Sequence, residues 1–516
     1  MKKVILLIGT IYCSVISQAQ SDAFGYFEDA LRFSKSNYSL GSSARMQAIG
    51  GAQISLGGDI SSAASNPAGL GFFNKSVFTF SPSVHFSDVS TDYFINGDIN
   101  GIQGSTESDN NHFNIANIGA VINWNKGRFS DQKFKGGTLA ISINRANNYR
   151  LDRSYEGENN FNSLADALAD RSFNIEPNNL PELAYAAFDQ YLISPITDEN
   201  SDLVYVADFE GFPVQNEVIE ERGSHYQMNV AWGGNYDDRL YFGGGMGVQF
   251  INYRQQRIYQ EFDFGTFNDN GEFIPDPDLN DFTLIDDLDV SGAGVNFNFG
   301  VIARPVNFIT VGISYTSPSF LSLNEESFLD LDAGWKVGAT ADNDGEIVDL
   351  STIDPYQGTL FISDYNLRTP SRLGLGATLF LGKKGFLSGD AEFIDYGDAN
   401  LSSDDFSTSG DNQVIEDIYS SVMNVRLGGE YRINKFMLRA GYAFFPSPYQ
   451  NSDLNEQTDM SFGFGYRNAH YFLDLGVVNS TRTIEYIPYQ SLDEFQPVAS
   501  SEIENTIVTI TFGLNF

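Results

Sequence analysis

A two-residue rhythm governs most of this chain. From Phe78 to Phe86, the residues Phe78, Phe80, Pro82, Val84 and Phe86 are apolar, and Thr79, Ser81, Ser83 and His85 fill the gaps. The same alternation sets Ala116, Ile118, Ala120, Ile122 and Trp124 against Asn117, Gly119 and Asn123. It sets Val295, Phe297, Phe299 and Val301 against Asn296, Asn298 and Gly300. Successive side chains of a strand point to opposite faces, so each run makes one apolar face and one face of polar residues or glycine. About fourteen such runs can be placed, most near or a little short of the ~9–11 residues that a tilted membrane strand needs. Composition agrees: 49 glycines and 14% aromatic residues suit many strands joined by glycine turns.

The connections differ in length by side. Asn235–Arg239, Arg304–Asn307, Gly382–Gly385 and Asn434–Lys435 are short, whereas Asn147–Ser224, Gln255–Asp287 and Phe320–Ile362 are long and carry much of the acidic excess. Tight turns at one end and extended loops at the other are the pattern of a membrane barrel. A soluble sandwich would also alternate. Against it, the apolar face carries Trp124, Trp232, Tyr315, Tyr466 and Tyr471 near strand ends, where interfacial girdles lie. In the last segment Val508, Ile510, Phe512 and Leu514 are in phase and the chain closes on Phe516. That ending resembles the assembly signal of bacterial outer-membrane barrels. The expectation is an all-β, transmembrane antiparallel barrel of about fourteen strands. Its surroundings would be outer-membrane lipid and lipopolysaccharide, with the barrel assembly machinery as partner.

The first twenty residues, MKKVILLIGTIYCSVISQAQ, join Lys2 and Lys3 to an apolar run and a small-residue end, as a secretory signal does. The single cysteine, Cys13, leaves with it. No later run approaches the ~20 apolar residues of a membrane helix. The net charge of -37 argues against a nucleic-acid partner, because phosphate binding needs a basic face.

Between signal and first strand lies AIGGAQISLGGDISSAASNPAGLGFF. Asn66-Pro67 signals a turn, and Gly69-Leu70-Gly71 is not expected to hold a helix. With TPSRLGLGA (Thr369–Ala377), AEFIDYGDANL (Ala391–Leu401) and LRAGYAFFPSPY (Leu438–Tyr449), this stretch resembles the FadL/TodX family of outer-membrane channels for long-chain fatty acids and other hydrophobic compounds. The resemblance covers Ser43–Phe86 and Thr369–Phe516; the middle of the chain shows little to match. It implies an N-terminal hatch, residues 21–74, plugging a barrel of residues 75–516. Ligand would enter from outside, diffuse through the lumen and leave sideways through the wall. Asn66, Pro67, Ala68 and Gly69 would then form the plug's turn, with Leu70, Phe72 and Phe73 as apolar contacts along the ligand path.

If the apolar phase faces lipid, the other phase faces the lumen. That puts Arg372, Asp390, Glu392, Arg426, Glu430, Arg439, Arg467 and Asp474 on one inner face. Unpaired charge in a confined lumen is costly, so an internal ladder of ion pairs is expected, with Arg45 reaching it from the plug. No cofactor motif stands out. GGGMG (Gly243–Gly247) lies within a strand with no helix after it and reads as close packing on the lumen side or a bend. No serine sits in a nucleophile elbow, so no enzyme is expected. His85, His112 and His225 fall at outer strand ends and read as polar rim residues. LPELAYAAFDQYL (Leu180–Leu192) has Leu183, Ala186, Ala187 and Tyr191 at helical spacing and predicts a short helix over the mouth. A rival from another class is a barrel that docks secreted surface proteins, as in type IX secretion, through its acidic outer loops.

Overall fold

A computed structural model of the chain describes residues 25–35, 40–98, 101–124, 132–267, 272–343, 346–492 and 495–516. The expected signal, residues 1–20, lies outside the described residues.

Fourteen antiparallel strands close on themselves. In chain order they are β1 (Val77–Asn96), β2 (Ile102–Asn123), β3 (Phe134–Asn148, resumed as Leu151–Glu158), β4 (Phe212–Tyr236), β5 (Leu240–Phe267), β6 (Leu279–Val306) and β7 (Ile309–Thr316, resumed as Phe320–Trp335). There follow β8 (Phe361–Arg368, resumed as Arg372–Phe380), β9 (Gly385–Asp395, resumed as Asn400–Ser402), β10 (Ser421–Ile433), β11 (Phe436–Phe445), β12 (Gln457–Arg467), β13 (Tyr471–Tyr486) and β14 (Gln496–Asn515). Each pairs with its sequence neighbours, and β1 pairs with β14 from Phe78↔Leu514 outward, which closes the ring and leaves no free sheet edge there.

The expected parity holds. Around the wall an outward belt of Phe78, Phe113, Ile141, Met246, Phe299, Leu375, Leu427, Phe462 and Phe512 is exposed, while the intervening residues are buried inside. Trp124, Tyr315, Tyr471 and Phe516 are exposed at the strand ends. An apolar band with aromatic margins is the outer surface that a bilayer requires.

The strands exceed the sequence expectation. Gln255–Asp287 reads as a loop, yet β5 runs 28 residues to Phe267 and β6 starts at Leu279. Likewise Phe320–Ile362 contains the second part of β7, and Asn147–Ser224 contains the second part of β3 and the start of β4. Beyond the belt the outer face meets water while the inner face buries Tyr253, Tyr259, Phe282 and Leu284, so the apolar phase that marks the lipid side inverts while backbone pairing continues. β5 and β6 stay in register through Asp281↔Phe262.

Three neighbouring strands break at one level: Ser317–Ser319 in β7, Thr369–Ser371 in β8 and Tyr396–Ala399 in β9. Pro318 and Pro370 account for two of the breaks, since proline cannot donate to the ladder. Thr369 and Ser319 stitch the gap, with Ser319 N–H donating to Thr369 Oγ1 (2.9 Å) and Thr369 N–H to the Ser319 carbonyl (3.0 Å).

Inside the ring lie α1 (Phe27–Ser34), α2 (Ala44–Gln47), α3 (Ser62–Ser65) and a 3-10 helix, Pro67–Phe72. The expectation that Gly-Leu-Gly holds no helix is therefore corrected. Pro67 presets the first turn, Asn66 Oδ1 caps it by accepting from Ala68 N–H (3.1 Å), and the enclosing wall supplies what glycine lacks in propensity. Over the mouth sit α4 (Leu164–Arg171) and α5 (Glu182–Asp189), the latter where the spacing predicts a helix, and at the rim α6 (Ser409–Ile418).

Candidate functional site: the plugged lumen and its side seam

Residues 41–56 and 59–71 of the plug are almost wholly buried. Two wall glycines make its close seating feasible. A Cβ on Gly300 would lie 1.7 Å from Asn66 Oδ1, and one on Gly243 would lie 2.5 Å from the Pro67 carbonyl carbon. GGGMG is thus lumen-side close packing. Asn66 Nδ2 donates to the Ile54 carbonyl (2.7 Å) and to the wall carbonyl of Ile313 (3.3 Å). Asp59 is held by Ser43 Oγ (2.9 Å) and Ser61 N–H (3.0 Å), which ties the start of α2 to the segment before α3. Ala68 and Gly69 are enclosed, and Leu70 packs with Ile60, Val121 and Ala231. Phe72 stacks on Tyr241 (3.8 Å) and Phe73 joins Val77 and Phe472. All four plug-turn residues and all three apolar contacts therefore sit at one plug–wall boundary, at the end of the barrel with the short turns.

The charged inner face resolves into clusters. Glu430 accepts from Arg45 (3.3 Å), Arg432 (2.6 Å) and Arg439 (2.8 Å), and Arg439 reaches on to Asp474 (2.7 Å), with Arg467 4.0 Å from the same carboxylate. Arg439, Glu430 and Asp474 are all but sealed from solvent. One strand over, Glu392 takes Arg426 (3.1 Å) and Asn424 (3.1 Å). The other two expected members hold plug backbone: Asp390 accepts from Ile54 N–H (2.8 Å), and Arg372 donates to the Ser34 carbonyl (2.5 Å). The arrangement is two ion-pair clusters within the wall, one of which takes Arg45 of the plug, and two separate clasps on plug backbone.

Sequence reasoning missed α1. Its apolar residues Phe27, Ala30, Leu31 and Phe33, with acids early and Arg32 late, were the available signal. Above the plug it fills the lumen, where Tyr26, Leu31 and Phe33 pack with Tyr149, Ile251, Tyr253, Leu321, Leu323 and Tyr365. Few bonds tether it: Tyr26 Oη to Ser363 Oγ (2.8 Å), Tyr419 Oη to the Phe27 carbonyl (3.0 Å), Phe27 N–H to Asp411 Oδ1 (3.1 Å), the Arg372 cap, and Tyr365 Oη to Asp29. Glu325 shares that tyrosine (3.2 Å) and lies beyond the belt, where the outward neighbours are Ser322, Asn324 and Glu326. Burial first, and the Asp29 carboxylate second, push its pKa up from 4.5 to about 8.

The wall has a seam between β2 and β3. β2 pairs with β1 along nearly its whole length, yet with β3 only from Asn117↔Asn144 to Asn123↔Thr138. The cause is a pair of irregularities at one level, the register shift at Ser81/Pro82 that skips Ala116 and the shift at Arg145/Asn147 that skips Ala146. Above it β3 turns inward, and its Tyr155 stacks on Tyr93 of β1 (4.9 Å). Among the described residues, no ladder joins β2 from 102 to 116 to β3. Side chains bridge instead: Asn148 Nδ2 to His112 Nε2 (3.0 Å), Asn110 Nδ2 to Asp152 (2.5 Å) and Ser108 to Ser154 (3.3 Å). The seam begins at the upper belt, beside Phe113 and Ile115.

His85 faces His112 across β1 and β2 (5.0 Å) and His225 contacts Gln249 (3.1 Å). Among the described residues no three His, Cys, Asp or Glu gather as metal ligands. At the mouth, α4 and α5 cover a cavity of about 160 Å³ lined by Leu164, Leu168, Leu183, Leu284, Leu329 and Tyr489.

The fold is similar to that of a FadL homologue of Pseudomonas aeruginosa, at 12% identity over 92% of this chain and 98% of that one, with a TM-score of 0.53. It is similar also to the toluene transporter TodX of P. putida, at 12% identity over 92% and 99% of the two chains, with a TM-score of 0.50. No protein-family model and no curated protein matches the sequence. The chain has the FadL/TodX-like barrel fold.

Proposed function

We propose that this FadL/TodX-like barrel is an outer-membrane channel for passive uptake of hydrophobic compounds, long-chain fatty acids among them. The seam between β2 and β3 carries the reading. A barrel that only bridges the membrane needs no break in its ladder at the level of the lipid. A hydrophobic solute cannot profitably continue into water below the plug, because returning each buried CH₂ to water costs about 0.8 kcal/mol. Leaving sideways through the seam keeps it out of water.

The path starts at the cavity under α4 and α5, where leucines stand beside Arg257 and Asp286, continues along the aromatic lumen that α1 fills, and ends at the seam. Asn66, Pro67, Ala68 and Gly69 seal the channel below, with Leu70, Phe72 and Phe73 closing the apolar boundary. The ion-pair clasps hold that seal. No nucleotide or metal step is invoked; the concentration gradient drives the flux.

Uptake of labelled oleate and of an alkylbenzene by cells with and without the protein tests transport, and equal uptake refutes it. A variant carrying His112→Cys and Asn148→Cys, joined by a short bis-maleimide, tests the exit. Uptake is expected to fall when the seam is stapled and to stay normal in each single variant. Unchanged uptake in the stapled protein refutes lateral release.

A further inference from the structure

The lower face of the plug holds a second cavity, of about 290 Å³, away from the path above. Its lining brings Arg45, Lys75, Arg432 and Arg467 together with Phe72, Phe73 and Phe472. We infer that this cavity is an oxyanion site open to the short-turn side of the barrel, taking a carboxylate or phosphate group with an apolar neighbour.

Charge counting supports it. Around the cavity stand Arg45, Arg432, Arg439, Arg467 and Lys75, and the carboxylates within reach are Glu430, Asp474 and Asp59. Glu430 already serves three guanidiniums. Asp474 is shared between Arg439 and a distant Arg467, and Asp59 is engaged by Ser43 and Ser61. Cation is therefore in excess in a partly enclosed space, where unbalanced charge is expensive. The donors show the same surplus: two guanidinium nitrogens, Arg439 Nη2 and Arg467 Nε, are buried without a hydrogen-bond partner against one carboxylate oxygen, Asp474 Oδ2. A guanidinium offers five donors in a fork that fits carboxylate and phosphate oxygens.

Two features select the occupant. Arg467 lies over the Phe472 ring (4.6 Å) and Arg304 over Phe72 (5.4 Å), so aromatic faces adjoin the cations. Asp59 stands on the plug side and turns an anion toward Arg432, Arg467 and Lys75. The surrounding turns extend the basic surface with Lys383, Lys384 and Lys435, in contrast to the acidic outer loops. An anionic amphiphile fits this chemistry, its oxyanion among the guanidiniums and its chain along the phenyl rings. The site does not depend on the transport reading, since binding from the short-turn side needs no passage through the lumen.

The test is ³¹P NMR of the full-length barrel in neutral maltoside micelles, titrated separately with inorganic phosphate and with octyl phosphate below its micellar concentration. Saturable broadening of octyl phosphate, reversed by octanoate but not by octanol, is expected. Equal affinity for inorganic phosphate would identify a free-oxyanion site, and at least tenfold tighter octyl phosphate an amphiphile site. The double variant Lys75→Gln, Arg467→Gln is expected to weaken binding at least tenfold. Should it fail to insert, Lys75→Gln alone, at an exposed position, is expected to weaken it about threefold. Absence of saturable binding by either phosphate, or unchanged binding in the variants, overturns the proposal.

Discussion

Replacing Arg439 by methionine tests whether the inner charges brace the barrel or are merely hydrated. The guanidinium is sealed from solvent and holds Glu430 through Nε (2.8 Å) and Asp474 through Nη1 (2.7 Å). Methionine fills most of the volume but offers no donor. Glu430 keeps Arg45 and Arg432, so its loss is partial. Asp474 is left with Arg467 at 4.0 Å and becomes a nearly unpaired buried carboxylate. Breaking a buried pair from one side costs about 3–5 kcal/mol, most of it the stranded charge. Unfolding in micelles, followed by tryptophan fluorescence and by the heat-dependent gel shift of barrels, measures the change. Adding Asp474→Leu to Arg439→Met should recover at least half of the loss, because no stranded carboxylate remains. A loss below about 1 kcal/mol in the single variant, the range of exposed pairs, would refute bracing and mean that water reaches these groups.

Gly300→Ala forces the Asn66 side chain from its seat and is expected to cost about 1–3 kcal/mol and to raise single-channel conductance in planar bilayers, while alanine at the outward-facing Leu427 leaves conductance unchanged. Asn66→Ala removes the cap and the bond to Ile54 and should cost about 1–2 kcal/mol in the same unfolding assay. Because the Glu325 carboxyl is raised in the folded state, its contribution to seating α1 is full below about pH 4.5 and is lost as pH rises toward about 8. Hydrogen exchange of residues 27–34 should therefore quicken over that interval, and Glu325→Gln should flatten the profile.

The barrel was legible because membrane strands advertise themselves: lipid on one side and polar lumen on the other enforce alternation at Phe78–Phe86 as at Val295–Val301. The same contrast marked Glu430, Arg439 and Asp474 as inward. It failed where the contrast changed sign. Beyond the belt the buried residues, such as Tyr253, Tyr259, Phe282 and Leu284, are the inward ones, and a polar stretch at Gln255, Gln256 and Arg257 interrupts the pattern at the change, so the strand continues unseen. The seam was illegible for another reason. It comes from two one-residue shifts, at Ala116 and Ala146, and alanine carries no signature of a bulge. Which carboxylate clasps which arginine depends on strand stagger, which periodicity does not specify. Asp390 looked like a wall charge and instead holds the Ile54 amide.

The length of β5 and β6 has a consequence of its own. At about 3.3 Å per residue, 28 residues span roughly 90 Å, or about 70 Å of height at a tilt near 40°, against an apolar band of about 25 Å. Both strands begin or end at the belt's lower margin, at Leu240 and Val306, so the surplus all rises on the outer side. The protein stands as a chimney. Its mouth, under α4 and α5, stands about 45 Å beyond the apolar band, so the outer loops are held well clear of the lipid and meet the aqueous phase alone.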